Sequence, residues 1–260
     1  MKRRKIIFII LSVILLIIIT GFFLFVFPFV GTKKIQAGKV FTDGKIFNVV
    51  DGMSQVFLLD GGNKEIALVD AGNSPDGKQI VETLARRGLK ITDVKAIFLT
   101  HGHSDHIEAA KLFSNARIYS LEDEAAAVEG IKGYDSPLGR FFSPESTGLK
   151  VAGILKDGDT VGLGSLKVEV FAIPGHTEGG AAYLAGGVLF LGDAALSSDD
   201  GRIKHAIWVF SNDVEQQNRS LKALAGRLSP VKDSIKHIVF THTGLLEGLQ
   251  PLADYASNVK

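Results

Sequence analysis

The chain has 260 residues, with 29 basic and 28 acidic side chains, a formal net charge of +1 and no cysteine. Without cysteine there is no disulfide, no thiolate metal site, no cysteine nucleophile and no lipid-bearing cysteine. Four of the basic residues fall in the first five positions and the other 25 face 28 acidic ones, so the remainder is net −3 and offers no basic face to a nucleic acid.

Met1-Lys2-Arg3-Arg4-Lys5 is a basic cap, and Ile6 to Val30 follows without a charge for twenty-five residues. At about 1.5 Å per residue such a helix crosses a hydrocarbon core of about 30 Å. A secretory signal peptide has a shorter apolar core, of about 7–15 residues. The only cleavage-like stretch nearby, Ile35-Gln36-Ala37, is a poor one. Residues 1–30 are therefore read as an uncleaved, single-pass signal anchor with residues 6–30 in a lipid bilayer. The positive-inside rule puts the N-terminus in the cytoplasm and the rest of the chain outside it. Lys33 and Lys34 on the far side weaken that orientation without reversing it. Residues 31–44 read as a polar linker and 45–260 as one domain, long enough to bury a core of its own.

Within that domain Ile46–Val50, Ser54–Leu59 and Glu65–Val69 alternate with turn residues at Asp51-Gly52 and at Asp60-Gly61-Gly62-Asn63-Lys64, which predicts an antiparallel meander. Ser74-Pro75-Asp76 predicts a helix start, with Ser74 as N-cap, running to Arg87 and stopping at Gly88. A buried strand is expected over 94–100, a helix over 106–114, a strand over 116–120 and a helix over 121–129. Residues 130–150 have no period, and their glycines, prolines and exposed-type aromatics make them a candidate pocket-lining loop or a packed surface excursion. Strands follow at 151–155, 159–162, 166–172, 180–185 and 188–191. Residues 196–212 read as irregular, 213–228 as a helix capped by Asn212 or Asp213, 236–241 as a strand and 249–257 as a last helix. Two strand-rich blocks, each followed by helices, predict an α/β (α+β) fold: a four-layer αββα sandwich of two mixed sheets.

The chemistry concentrates in Thr100-His101-Gly102-His103-Ser104-Asp105-His106, which holds three of the seven histidines of the chain. The stretch sits between a strand and a helix, where open α/β sheets place their sites. In an extended loop alternate residues share a side, so His101, His103 and Asp105 can converge while His106 points elsewhere. One loop can thus serve two metals, His101 and His103 on one, Asp105 and His106 on the other. Imidazole nitrogen and carboxylate oxygen suit zinc.

His-x-His-x-Asp-His after an apolar strand resembles the metallo-β-lactamase-fold superfamily of metallohydrolases. Further motifs follow in the expected order: Pro174-Gly175-His176-Thr177, Leu191-Gly192-Asp193-Ala194 and Thr241-His242-Thr243. The resemblance covers roughly residues 45–245. It implies that His101, His103 and His176 hold one metal, that Asp105, His106 and His242 hold a second, and that Asp193 bridges the two. It implies two divalent ions, zinc above all, with iron or manganese as substitutes. A metal-bound hydroxide would attack a carbonyl, with Asp105 as the catalytic carboxylate that orients it and passes a proton to the leaving group. Asp70, ending a strand, is either a partner that orients a ligand histidine or a turn residue. His205 and Trp208 either face a substrate pocket or have ordinary core and surface roles. A bridging Asp resembles the glyoxalase II and lactonase branches, which cleave esters, thioesters and lactones of small molecules. The zinc β-lactamases have a different residue there. Two further readings stand beside this one: a β-lactam hydrolase of the same fold, and a non-catalytic, membrane-anchored metal-binding protein.

Overall fold

The structure, a computed structural model, describes residues 2–259; the side chains of Met1, Lys2 and Arg3, which belong to the basic cap, lie outside the described residues. The chain divides into two compact units, one ending at Thr32 and the other starting at Lys33. In the first, helix α1 (Lys2–Gly21) continues through a π-helical turn at Phe22–Val26 and a 3-10 turn at Phe27–Phe29. The tighter last turn contains Pro28, which has no backbone N–H to extend an α-helix. Residues Arg4–Phe29 are long and apolar enough to cross a membrane, by length and composition.

The second unit begins with β1 (Val40–Phe41), which pairs with β2 (Ile46–Asp51), so the stretch read as linker already contributes an edge strand to the domain. The meander is completed by β3 (Ser54–Asp60) and β4 (Ile66–Val69), all antiparallel. After α2 (Lys78–Arg86), β5 (Val94–Phe98) pairs parallel with β4; α3 (Ser104–Ile107), β6 (Arg117–Leu121), α4 (Glu122–Val128) and β7 (Gly153–Leu155) complete this half. The seven strands stand in chain order. The other half consists of β8 (Thr160–Leu163), β9 (Leu166–Ala172), β10 (Ala181–Ala185), β11 (Val188–Phe190), the hairpin β12 (Ala195–Ser197) and β13 (Ile203–His205), α5 (Val214–Leu228), β14 (His237–Val239), β15 (Leu246–Glu247) and α6 (Gln250–Asn258). Its six-stranded sheet has the order β15-β14-β11-β10-β9-β8, with β11 and β14 parallel.

Three apolar layers hold this unit together. Phe57, Val69 and Phe98 of the first sheet meet Val168, Tyr183 and Phe190 of the second. Ile80 and Leu84 of α2 cover the outer face of the first sheet, and Leu221, Leu224 and Leu252 of α5 and α6 cover that of the second. The architecture is the expected αββα sandwich, since each sheet is apolar on both faces and each needs two covers.

Local differences from the sequence reading have identifiable causes. Helix α2 starts at Lys78, after Gly77 at φ +52°, and Ser74 does not cap it. The Ser74 hydroxyl instead donates to buried Asp51 at 2.7 Å, and the Asn73 and Ser74 amides donate to the same carboxylate at 2.8 Å. The expected helix 106–114 is one α-turn, α3, followed by a 3-10 segment at Glu108–Leu112. There the backbone pairs with the neighbouring segment: Glu108 N–H is shared between Ser104 O and Gly72 O, and Ala109 N–H goes to Ala71 O. Residues 196–212, read as irregular, contain the β12–β13 hairpin. Asp213 is the cap of α5, accepting from the Gln216 amide at 2.8 Å.

Candidate metal centre

Seven side chains converge from four stretches of the chain, and strand direction explains why. In the second sheet β9, β11 and β14 run the same way, because β10 is antiparallel to both β9 and β11. Their C-terminal ends release His176, Asp193 and His242 at one edge, and the C-terminal end of β5 releases His101 and His103. Alternation ends at His103, where α3 begins, so Asp105 and His106 project from a helical turn.

The side chains form two sets, His101 with His103 and His176, and Asp105 with His106, Asp193 and His242; within each, the ligand atoms lie within 4.8 Å of one another. His103 Nδ1 is 2.9 Å from His101 Nε2 and 3.1 Å from His176 Nε2. Asp105 Oδ2 is 3.2 Å from His242 Nε2. Asp193 stands between the sets: Oδ1 is 3.5 Å from His106 Nε2, while Oδ2 is 3.0 Å from His242 Nε2 and 3.8 Å from His176 Nε2.

The far nitrogens are held in place, which aims the near ones. His106 Nδ1 lies 2.8 Å from Asp70 Oδ2, so Asp70 orients a histidine of the second set. Asp70 also accepts from the Thr100 amide at 2.8 Å, which withdraws Thr100 from the β5 ladder and ends the strand before the expected residue. His242 Nδ1 lies 2.9 Å from the Met53 carbonyl, and His176 Nδ1 lies 3.0 Å from Ser211 Oγ. The Ser54 hydroxyl donates to Asp105 Oδ2 at 3.1 Å. Buried Glu124 accepts from the amides of Gly102 and Gly179 at 3.0 and 2.9 Å, tying the first motif to the second. Met53, Ser54, Ser211 and Glu124 carry no sequence signal for these roles: one acts through its carbonyl, and the others come from distant segments.

The electrostatics divide the same way. Burial pushes His101 well below its ordinary pKa, His103 down to about 3 and His176 down to about 4, so these three imidazoles are neutral. Burial also opposes protonation of His242, yet Asp193 and Asp105 outweigh it and raise the group to about 10. His106 is raised likewise, against its burial, by Asp70 and Asp193. The Asp193 carboxyl is held well below the carboxylate range, against its burial, by His242 and His106. Two features fit a cation. His106 Nε2 and Asp193 Oδ1 are buried without a hydrogen-bond partner, and three neutral ring nitrogens converge on one point. The residues present thus match the donor set of a divalent metal.

His205 and Trp208 lie on the β12–β13 side. His205 Nδ1 is 2.7 Å from the Tyr255 hydroxyl and 2.9 Å from Asn218 Oδ1, and Trp208 is 60% exposed. A cavity of about 410 Å³ adjoins His103, and neither His205 nor Trp208 is among its lining residues. Its outer wall is the aperiodic loop 130–147.

Gly175 is fixed by packing: its φ is +142°, and a Cβ there would lie 2.2 Å from the Gln217 amide nitrogen. Gln217 Oε1 accepts from the His176 amide at 2.7 Å. Gly175→Ala is therefore expected to push α5 off the His176 loop and to cost about 3 kcal/mol of stability. Denaturant unfolding with metal analysis checks this; an unchanged midpoint with full metal content would contradict it.

The metallo-beta-lactamase superfamily model matches residues 49–242, and the chain belongs to that superfamily. Among curated relatives, the hydroxyacylglutathione hydrolase of Serratia proteamaculans is 32% identical over 171 residues, 65% of this chain and 56% of the relative. That of Gloeobacter violaceus is 34% identical over 172 residues, 65% of this chain and 57% of the relative. The matched stretch thus spans little more than half the length of those relatives. A metallo-beta-lactamase family protein from Thermus thermophilus superposes with a TM-score of 0.58 at 25% identity, covering 82% of this chain and 78% of that one. A metallo-beta-lactamase from Novosphingobium pentaromativorans gives 0.65 at 19% identity, with 88% of each chain covered, a likeness of fold.

Proposed function

We propose that the chain is a membrane-anchored, dinuclear metal-dependent hydrolase that cleaves an ester, thioester or lactone carbonyl of a small molecule. The observation that carries this reading is the Asp193 carboxylate, with one oxygen toward His106 and the other toward His242 and His176. His101, His103 and His176 would hold one ion, Asp105, His106 and His242 the other, and Asp193 would serve both. Divalent ions, zinc being the best match to this donor set, lower the pKa of coordinated water to about 7 and polarise a carbonyl oxygen. The chain supplies the rest. Asp70 and the Met53 carbonyl keep the Nδ1 protons of His106 and His242, so both rings present Nε2 to the centre. Asp105, braced by Ser54, orients the attacking water and carries a proton to the leaving group. The names of the curated relatives support a thioester or ester as substrate.

The test is metal analysis and a substrate panel that includes a β-lactam. About two equivalents of zinc and chelator-sensitive hydrolysis of a generic ester support the reading. A protein that binds metal and turns over nothing is instead the non-catalytic binding protein, and selective turnover of the β-lactam favours that alternative.

The anchor is tested separately. Full-length protein is expected in the membrane fraction, resistant to carbonate extraction, while residues 31–260 stay soluble. Protease added to intact cells is expected to reach the domain, which places it outside the cytoplasm. Free protein whose N-terminus lies near residue 38 would mean that the segment is a cleaved signal peptide.

A further inference from the structure

The 410 Å³ cavity beside His103 lies in the size range of small-molecule sites. Ile107, Ala127, Leu138, Phe142 and Leu149 give it an apolar lining that starts at His103 and runs away from the metal centre. Its charged lining residues are Glu108, Lys111, Lys132 and Glu145, and Lys132 is already paired with Glu178, so the lining has no excess positive charge. The wall is held in shape. Thr147 Oγ1 donates to the Val128 carbonyl at 2.7 Å, the Leu138 amide to the Val209 carbonyl at 3.0 Å, and the Tyr134 ring packs 4.3 Å from the His103 ring. At Gly130, φ +71°, a Cβ would lie 1.8 Å from the Glu145 carbonyl oxygen, so the two ends of the loop touch. The groove is therefore preformed, largely apolar and without excess positive charge.

We propose that this groove takes an uncharged, apolar acyl group of the substrate, with the scissile carbonyl at its His103 end. The proposal rests on the hydrolase reading and narrows it. A lining without excess positive charge gives no advantage to an anionic peptide group such as glutathione, whereas each methylene taken from water into the groove adds to binding. Substrates with a medium-length acyl chain should thus be favoured over acetyl esters.

Gly133 supplies the variant. It lines the groove, and a Cβ there meets nothing nearer than 3.6 Å, so the position has room for a side chain and Gly133→Phe adds bulk to the groove wall. Full-length, zinc-loaded protein in phosphatidylcholine nanodiscs is assayed with p-nitrophenyl acetate and octanoate, and octanoate and acetate binding is measured by calorimetry. The octanoyl ester is expected to exceed the acetyl ester in kcat/KM by about a hundredfold. Octanoate is expected to bind at least about tenfold more tightly than acetate. Gly133→Phe should remove both preferences, bringing octanoyl ester turnover and octanoate binding down toward the acetyl values. Leu138→Asp, which keeps the loop but places a charge in the groove, should act the same way if Gly133→Phe does not fold. Equal use of both esters, or a preference that survives both variants, overturns the groove and leaves the hydrolase standing. If neither ester is cleaved, octanoate binding alone decides: selective binding lost in Gly133→Phe upholds the groove, and equal binding of octanoate and acetate refutes it.

Discussion

Asp193→Ala is expected to lower metal content from about two ions to one or fewer and to slow turnover by several orders of magnitude. The Asp193 carboxylate stands between the sets and meets three of their imidazoles. Its removal leaves two cations in one low-dielectric site without their shared counter-charge. His242→Ala should act on the second set alone and His101→Ala on the first. Members of one catalytic unit are not additive, so Asp193→Ala combined with His242→Ala should cost little more than the worse single change. Elemental analysis beside single-turnover rates for the single and double variants decides this. An Asp193→Ala protein that still binds two metals and turns over normally would sink the dinuclear reading.

The second large effect is expected from Asp105→Asn. The amide keeps the shape and can still accept from Ser54, but it removes the charge facing His242 Nε2 at 3.2 Å. A proton carrier is lost together with a ligand. The variant should fold with an unchanged melting temperature of its metal-free form, and should lose about 10²–10⁴ in kcat. Metal content should fall at the second set only. Near-wild-type rate together with full occupancy would remove Asp105 from its assigned role.

The residues of the centre were legible because ligand chemistry is local. Three imidazoles and a carboxylate within six positions after an apolar strand are informative before any fold is known. The sandwich was legible for a related reason: strands buried on both faces read as continuous apolar runs, and two such blocks separated by helices admit few arrangements. The start of α2 was not legible. Ser74 has the composition of a cap, yet buried Asp51, more than twenty positions earlier, takes both its amide and its hydroxyl. The short α3 was equally hidden, since the Ala109 amide and the His106 carbonyl both pair with Ala71 of a neighbouring segment.

By itself, the amino-acid sequence determined the candidate ligand types, their order along the chain, the apolar N-terminal segment and the two strand-rich blocks. These depend on periodicity and side-chain chemistry within a few neighbouring positions. Only the tertiary structure decided which nitrogen each histidine presents, that Met53 and Ser211 hold His242 and His176 in place, and that the loop 130–147 walls a groove beside His103. Those facts depend on contacts between segments up to 189 positions apart, as between His242 and the Met53 carbonyl. Sheet pairing makes such contacts: the shared direction of β9, β11 and β14 brings three distant candidate ligands to one edge, and no local pattern records it.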